Sequence, residues 1–407
     1  MALASTSRVQ VRYIKESVFG TTPVAGNSTN LRVTGESLNF TLNKEVSAEI
    51  NAYRASTSMV PVTAEASGGV QGEMQYAEFD PLLEATLQSV YTVYGTNGVS
   101  SPLSLTFAPG SITAGAATTG ANLFTLLQQG QWFKVSGTGT ANDQLLFRVS
   151  KTVAPTSTII TLDPGTPAIA GGPYAAATIS SSRLTNGTTQ PSFTLEREVG
   201  DVGEFFSFRG MTASSMSVNI ASGSLSTVEF NFMGKDSKQQ ASTMMPGTPA
   251  ASRNYKIMSG VSGQVCALWV GGAPLAGTFI NSVALSYDNS LRAQNAICSL
   301  GAVGIGSGTI NATMDIEVYF SSGATFYSQL LNNSNIEVAF TAIDTDGNGY
   351  VFTFPAANVS TYTVNAGGKD ADLMAQITLT ALLDLGNVTP ALRKVAFIDR
   401  VGAAVTP

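Results

Sequence analysis

The fold is decided by Ser282-Val-Ala-Leu-Ser-Tyr287 and by Ile310-Asn-Ala-Thr-Met-Asp-Ile-Glu-Val318, which follows it along the chain. In both segments apolar and polar side chains alternate, and a period of two is typical of strands with one buried and one solvated face. Between Gly323 and Leu331 the apolar residues recur instead at helical spacing, which predicts one short helix.

A hairpin is predicted next. Asp344-Thr-Asp-Gly-Asn-Gly349 has the composition of a tight turn and connects two apolar runs, Ile336 to Ile343 and Tyr350 to Phe354. The segments Asn358 to Asn365 and Met374 to Leu382 complete the set. The unit is therefore strand, strand, helix, hairpin and two further strands.

The same unit occurs earlier in the chain. Its parts have counterparts in the same order, which indicates an internal duplication. The matched pairs are Ser37–Leu42 with Ser282–Tyr287, Val70–Tyr76 with Ile310–Ile316, Asp80–Leu87 with the helix, Gly203–Phe208 with Gly349–Phe354, Val218-Asn219 with Val364-Asn365, and Val228–Phe232 with Ala375–Leu379.

The duplication exposes an insertion. In the second copy the helix leads to the next strand through Asn332 to Asn335, whereas the equivalent step in the first copy runs from Val90 to Pro191. Such a connection is too long for a loop and must fold separately. Strand signals at Gln131–Val135, Leu145–Val149 and Thr158–Leu162 predict a small β-barrel or sandwich there.

We therefore predict a mainly β chain with two tandem β-sandwich modules, each with one short α-helix, and an inserted small β-domain. The predicted boundaries are 1–94 and 191–236 for the first module (module A), 95–190 for the insert, 237–256 for a linker, 257–385 for the second module (module B) and 386–407 for a C-terminal tail. The segment Ser5 to Asn30 is either a loose terminus or an arm that contacts a neighbouring chain. Val46 to Arg54 is either helical or an extension of a strand.

Composition limits the possible functions. Charged residues make up only 12% of the chain, about half the usual share, and the net charge is −6. A surface this poor in charge is expected to face other copies of the protein, and an acidic balance argues against binding to nucleic-acid phosphates. No segment is long and apolar enough to span a membrane, and the N-terminus lacks the apolar run of a signal peptide. Cys266 and Cys298 lack metal-ligand spacing and are expected to be reduced in a protein made in the cytoplasm.

The sequence contains few residues in arrangements suited to catalysis. Histidine is absent, which excludes Ser/His/Asp and Cys/His catalysis. Asp344 to Gly349 has some likeness to a calcium loop but lacks the distant Glu of an EF-hand, so we interpret it as a hairpin turn. Trp132 and Trp269 are expected to pack in cores rather than to bind sugars. The sequence predicts neither an enzyme nor a cofactor.

Several segments of the chain resemble the tail tube proteins of long-tailed bacteriophages. These segments are Glu16–Pro23, Leu31–Leu38, Ser47–Arg54, Arg209–Met211, Ser215–Val218 and Phe230–Asp236. The resemblance spans nearly the whole chain. It implies β-sandwich modules, six of which form a ring, and stacked rings that make the hollow tail through which DNA leaves the capsid. It also implies a location in the virion tail, with other copies of the chain and other tail proteins as partners, and no specific DNA binding. The alternative from composition is a secreted β-rich adhesin or surface-layer subunit.

Ring composition follows from the resemblance and the duplication together. Because this chain carries two modules, we expect three chains per ring, a threefold ring with a pseudo-sixfold appearance. The alternative has six chains per ring, with module B as an outer layer. The insert is expected outside the tube, and arms and loops are expected to connect stacked rings. Candidate contacts between rings are the segment Thr57 to Ser67 and, in the N-terminal arm, Val9, Val11, Tyr13 and Phe19.

The bore of such a tube is predicted from the polar face of the alternating strands. The predicted lining residues are Gln71, Glu73, Gln75, Glu229, Asn231, Thr313, Asp315 and Glu317. Ordinary outer-surface polarity is the other interpretation of these residues. If they line the channel, they present carboxylates and amides, and DNA has no basic surface on which to release counterions and adhere.

Overall fold

The computed structural model describes residues 3–115, 123–166, 168–261, 267–275, 278–320, 324–366, 368–387 and 389–405. In these residues the chain is mainly β, as predicted, with two α-helices, α1 (Asp80–Thr86) and α2 (Ala324–Asn332). The strands in chain order are β1 (Val9–Lys15), β2 (Thr29–Leu31), β3 (Gly35–Glu36), β4 (Asn39–Val46), β5 (Met59–Glu73), β6 (Thr92–Val93), β7 (Leu103–Ala108), β8 (Ser111–Ala114), β9 (Trp132–Ser136), β10 (Leu146–Arg148), β11 (Ile159–Thr161), β12 (Gly171–Ser180), β13 (Ser182–Thr185), β14 (Phe193–Val199), β15 (Glu204–Ala221), β16 (Thr227–Gly234), β17 (Asp236–Gln240), β18 (Leu268–Val270), β19 (Ala273–Pro274), β20 (Ile280–Asp288), β21 (Arg292–Gln294), β22 (Gly304–Gly306), β23 (Asn311–Tyr319), β24 (Ile336–Ile343), β25 (Gly349–Asn365), β26 (Met374–Ala381) and β27 (Phe397–Val401). Short 3₁₀ turns lie at Thr6–Arg8, Leu123–Leu126, Ala141–Gln144 and Pro390–Leu392.

The two modules have the same strand arrangement. In module A, β5 pairs with β4 and β16, β16 pairs with β15, and β15 also pairs with β14. In module B, β23 pairs with β20 and β26, β26 pairs with β25, and β25 also pairs with β24. All these pairs are antiparallel, and the sheets of both modules close over one continuous apolar core.

The strands β15 and β25 connect the two sheets of their modules. Each leaves the outer sheet and continues in the inner one, where a β-bulge shifts the register between Ala213 and Ser215 in β15 and between Val359 and Thr361 in β25. Such a bulge bends a strand and increases its twist. The predicted strands Tyr350–Phe354 and Asn358–Asn365 are therefore two halves of one bent strand.

Two matched pairs of segments are displaced in the structure. Gly72 of β5 lies opposite Val228, and Val318 of β23 lies opposite Ala375, the counterpart of Val228. Gly72 therefore corresponds to Val318 and not to Ala312, the residue that sequence matching gave. The strands β4 and β20 are displaced by two residues in the same way. An alternating pattern looks alike at every even shift, so the matching error left each side chain on its predicted face.

The insert folds as a closed barrel. Strands β7 to β12 pair in the order β10-β9-β12-β7-β8-β11, and a bridge between Val149 and Leu162 joins the two ends. The barrel encloses its own apolar cluster, which includes Leu105, Phe107, Ile112, Phe124, Phe133, Phe147, Ile160 and Ile179. The barrel alternative is therefore the one that the structure adopts.

Three predicted boundaries cut across paired strands. Strand β13 lies inside the predicted insert but pairs with β6 and β27, outside the barrel. Strand β17 opens the predicted linker and pairs with β15, and β27 in the predicted tail pairs with β25 and β13. These partners are far apart in sequence, where composition gives no signal of pairing.

The barrel is fixed to module B by buried polar contacts. Arg183 of β13 donates hydrogen bonds from Nε and Nη2 to the two carboxylate oxygens of Asp399 in β27, each at 2.7 Å. Asp399 also accepts the Trp132 backbone N–H at 3.1 Å, and the Trp132 ring packs edge-on against Trp269 at 4.9 Å between centroids. Both tryptophans therefore pack in the interior, as predicted.

A second group of charges lies at the same junction. Arg148 of the barrel forms ion pairs with Glu337 of β24 and, at 3.3 Å, with Asp163. Lys151 pairs with Glu337 as well. Burial raises the pKa of the Asp163 carboxyl, although the charges of Arg148 and Lys151 act in the opposite direction.

Candidate assembly surface

A single sheet runs through both modules. Its order is β4-β5-β16-β15-β20-β23-β26-β25, and every neighbouring pair is antiparallel. The junction between the modules is the pairing of β15 with β20, from Ser215 opposite Asp288 to Ala221 opposite Ser282. We call this eight-stranded layer the inner sheet. Module B thus continues the layer that module A begins.

One face of the inner sheet belongs to the core. At the junction, Val218 lies opposite Leu285 and Met216 opposite Tyr287, and all four side chains are buried. Cross-strand pairs of this kind are the unit from which a sheet gains stability. The junction is therefore packed like the interior of either module.

The other face of the inner sheet is open and polar. It carries seven of the eight predicted lining residues: Gln71, Glu73, Glu229, Asn231, Thr313, Asp315 and Glu317. Gln71 donates to Glu229 across the β5–β16 pair at 3.3 Å, and Thr378 donates to Asp315 across β23–β26 at 2.6 Å. The structure thus brings these side chains onto one surface. Whether that surface lines a bore stays a prediction.

Gln75 is the exception among the predicted lining residues. Its side chain is only 2% exposed and accepts a hydrogen bond from Arg32 at 2.8 Å. Strand β5 ends at Glu73, so the alternation that placed Gln75 on the open face does not reach it. The prediction that Gln75 lies on the open face is therefore wrong, and the residue belongs to the interior.

The open face has one sign of charge. Its carboxylates are Glu65, Glu73, Glu229, Asp288, Asp315 and Glu317, and its other side chains are mainly Ser, Thr, Asn and Gln. From Asn39 to Asn43 in β4 and along the described inner-sheet parts of the other seven strands, neither Lys nor Arg lies on this face; Lys44 lies past the register shift in β4, in the projecting hairpin. The surface therefore offers phosphate groups no cationic contact.

The two edges of the inner sheet are unpaired in the described part of the chain. Strand β4 pairs only with β5 on its inner side, and all its residues are exposed. The inner-sheet half of β25 pairs only with β26. Apolar side chains lie on both edges: Phe40 of β4 and Val364 of β25 are each 37% exposed. Long unpaired edges with apolar side chains are templates for pairing with another chain.

The hairpin of β4 and β5 projects beyond the rest of the inner sheet. Its tip, residues 47–58, forms neither the helix nor the further strand that were considered, and Ile50 and Tyr53 in it are 98% and 89% exposed. At the base of the hairpin, the Ala64 N–H donates to the Leu300 carbonyl of module B at 2.8 Å. Of the candidate ring–ring segment Thr57 to Ser67, residues 59–67 lie in β5, and its contact with another ring stays a prediction.

The N-terminal segment is attached along its length to module A. Strand β1 lies between β14 and β2, and Val11 and Tyr13 are buried in the core, where burial raises the pKa of Tyr13 to about 12. Val9 and Phe19 remain partly exposed. The prediction that all four residues form an arm toward another ring is therefore wrong for Val11 and Tyr13, because their alternation served an internal strand.

The buried carboxylate of Glu16 holds the next part of this segment in place. It accepts hydrogen bonds from the Gly20 and Gly210 N–H groups and from the hydroxyl groups of Ser192 and Thr194, at 2.7–2.9 Å. This role could not be predicted from the sequence, because the partners are distant along the chain. A loose terminus is therefore excluded for residues 9–20.

The structure also bears on the loop with some likeness to a calcium site. The Asp344 carboxylate accepts the N–H groups of Asp346 and Asn348 at 2.8 and 2.9 Å, and Ile343 pairs with Gly349. The segment is therefore a hairpin turn, as predicted. Across the described ranges, no group of three or more His, Cys, Asp or Glu could hold a metal ion, and no helix is long and apolar enough to cross a membrane.

The comparison with known families agrees with this architecture. Residues 6–381 match the model of the family described as phage tail tube protein, so this chain belongs to the phage tail tube protein family. No curated protein matches the chain. The resemblance found in the sequence is thus confirmed. The chain is a structural subunit of a bacteriophage tail tube and belongs to the virion tail, and its family is structural rather than enzymatic.

Proposed function

We propose that three copies of this chain join their inner sheets edge to edge into one closed barrel, and that stacked barrels form the tube that conducts DNA. The observation that carries this proposal is the inner sheet, which spans both modules and ends at each side in a strand with one unpaired edge. Closure alone removes every edge from a sheet. A head-to-tail contact whose rotation closes gives a ring.

The continuity of the inner sheet favours three chains over six. The six-chain alternative places module B in an outer layer, whereas the pairing of β15 with β20 places both modules in the same layer. Strands ~4.8 Å apart and tilted by ~40° give three eight-stranded sheets a barrel ~50 Å across between backbones. Six chains with both modules in the barrel would double that width. The narrower barrel, lined by side chains, suits the passage of one DNA duplex.

The strand count also fits closure. Directions alternate along the inner sheet, so an even number of strands leaves β4 and β25 antiparallel to each other. The next copy can then add its β4 to β25 in the same antiparallel manner, and every junction around the ring is of one kind. Obligate interfaces of this type usually bury more than ~2,000 Å², which agrees with a surface so poor in charge.

Ring composition tests the proposal directly. Native mass measurement of single rings is expected to give three chains, and averaged end-on electron micrographs are expected to show three outer projections from the three barrels. Six chains per ring, or six projections, would overturn the threefold arrangement. Purified protein that forms neither rings nor tubes at high concentration would count against the tube itself.

A further inference from the structure

The junction inside the chain is a template for the junction between chains. Strand β15 is the last inner-sheet strand of module A. It pairs with β16 on one side and with β20 of module B on the other. Strand β25 occupies the position of β15 in module B, and β4 occupies the position of β20 in module A. The pairing of β15 with β20 is therefore a structural precedent for β25 of one copy beside β4 of the next.

The bulges fix which residues of β25 and β15 correspond. Ser215 and Thr361 each follow the bulge directly, and Val218 and Val364 lie three residues further on. Consistent with this, Val218 lies opposite the first buried residue of β16, and Val364 opposite Ala375, its counterpart in β26. Tyr362 accordingly has the position of Met216.

The pairing of β4 with β5 and of β20 with β23 determines which residues of β4 and β20 correspond. Phe40 lies opposite Ala66, and Tyr287 lies opposite Ala312. Ala66 and Ala312 each lie six residues before the corresponding residues Gly72 and Val318. Phe40 therefore has the position of Tyr287, and Asn39 that of Ser286.

We propose that β25 of one copy pairs with β4 of the next copy with Tyr362 opposite Phe40 and Thr363 opposite Asn39. This register copies Met216 opposite Tyr287 and Ser217 opposite Ser286 inside the chain. It rests on the proposed ring and specifies the contact that closes it.

The exposure of the edge residues supports this register. Val218 and Tyr287 at the internal junction are 0% exposed, whereas their counterparts Val364 and Phe40 are each 37% exposed in the single chain. In the proposed register Phe40 and Tyr362 face the core side, where apolar and aromatic cross-strand pairs stabilise a sheet. Thr363 and Asn39 extend the polar open face across the junction. A shift by one residue would place core-side residues of one copy opposite open-face residues of the next.

Cysteine cross-linking between two single variants tests the register. In a background with Cys266 and Cys298 changed to Ser, rings are assembled from a mixture of Asn39→Cys and Thr363→Cys chains and then oxidised. Directly opposite residues bring their Cβ atoms within reach of a disulfide, so covalent dimers are expected on a non-reducing gel. Each variant assembled alone is the control and is expected to give no dimer.

Two further mixtures, in which the cysteine of β25 is moved, test neighbouring registers. Asn39→Cys with Val364→Cys places the thiols on opposite faces, and Asn39→Cys with Thr361→Cys places them diagonally. Both are expected to cross-link at least ~10-fold more slowly than the matched pair. Faster cross-linking in either mixture, or none in the matched pair while micrographs show intact rings, would overturn the register and leave the ring standing. If the cysteine-free parent forms no rings, the ring proposal fails and this inference fails with it.

Discussion

Asp399 is the residue through which the insert, β13 and module B are held together. Its carboxylate is fully buried, receives two hydrogen bonds from Arg183, and accepts the backbone N–H of Trp132. A buried ion pair adds little over well-packed apolar groups, but removal of one partner leaves an uncompensated charge. The pair therefore makes the junction sensitive to single substitutions.

Asp399→Asn is expected to lower the free energy of unfolding by about 3–5 kcal/mol, because the Arg183 guanidinium then stays buried without a counter-charge. Urea unfolding followed by tryptophan fluorescence is a suitable measurement, since both tryptophans of the chain lie at this junction. The double variant Asp399→Leu/Arg183→Leu is the control and is expected to lose much less. Equal urea midpoints for Asp399→Asn and the parent would contradict the assignment.

For individual residues, the sequence predicted the direction of side chains well and their partners poorly. Thr313, Asp315 and Glu317 lie on the predicted face because alternation alone determines direction along a strand. The Arg183–Asp399 pair, 216 residues apart in the chain, gave no local signal. Tyr13 was misjudged because an alternating strand looks the same whether its partner belongs to the same chain or to a neighbour.

At the scale of elements, the β4–β5 hairpin is the projection best suited to contact another ring. Its distal part has exposed apolar side chains on both strands, among them Val46, Met59 and Val60, beyond the point where β16 ends. Residues 9–20 are less suited to this role, because β1 and Glu16 bind them to module A. Deletion of the N-terminus through β1 would also remove a strand of the core.

Replacement of residues 47–58 by an Asn-Gly turn is expected to leave rings intact and to abolish their stacking. Two-residue turns of this type fit an antiparallel pair, and Val46 already lies opposite Met59. Electron microscopy and sedimentation would measure tube length and ring content. The double variant Ile50→Ser/Tyr53→Ser, which keeps the hairpin length, is expected to give shorter tubes. Tubes of normal length from the shortened protein would place the ring–ring contact elsewhere.

Helices, hairpins and most strands of the modules could be predicted from period and turn composition. The helices α1 and α2 begin within a residue of their predicted starts, and the turn at Asp344 joins β24 to β25 as expected. The alignment of the two copies failed at β5 and β23, because alternation repeats every two residues. Strand β13 was assigned to the insert, since nothing in its four residues indicates a partner at the far end of the chain.

For the whole molecule, the acidic open face is the feature that is expected to act on DNA in the proposed tube. Glu73→Lys, Asp315→Lys and Glu317→Lys together are expected to leave assembly intact and to slow DNA ejection from phage particles severalfold. Lysines on the face would bind phosphates and release counterions, so the slowing is expected to diminish as salt rises. Dye-detected DNA release from purified particles measures the rate.

The matched control for this experiment is Glu73→Gln, Asp315→Asn and Glu317→Gln, which removes the charges without adding cations. This variant is expected to eject DNA at nearly the parental rate. Unchanged ejection from normally assembled lysine particles would mean that the open face of the inner sheet does not line the bore.

In the proposed ring, the projecting hairpin makes the two ends unlike. The connection of β4 to β5 and that of β20 to β23 leave the inner sheet at the same end, and the first does so as a two-stranded extension that runs to Val46 and Met59. In a ring whose subunits all point one way, three hairpins stand on one rim and none on the other. A column of such rings is therefore polar. Growth by addition to one rim keeps this polarity along the whole column, so the capsid end and the host end of the finished column differ without any additional component.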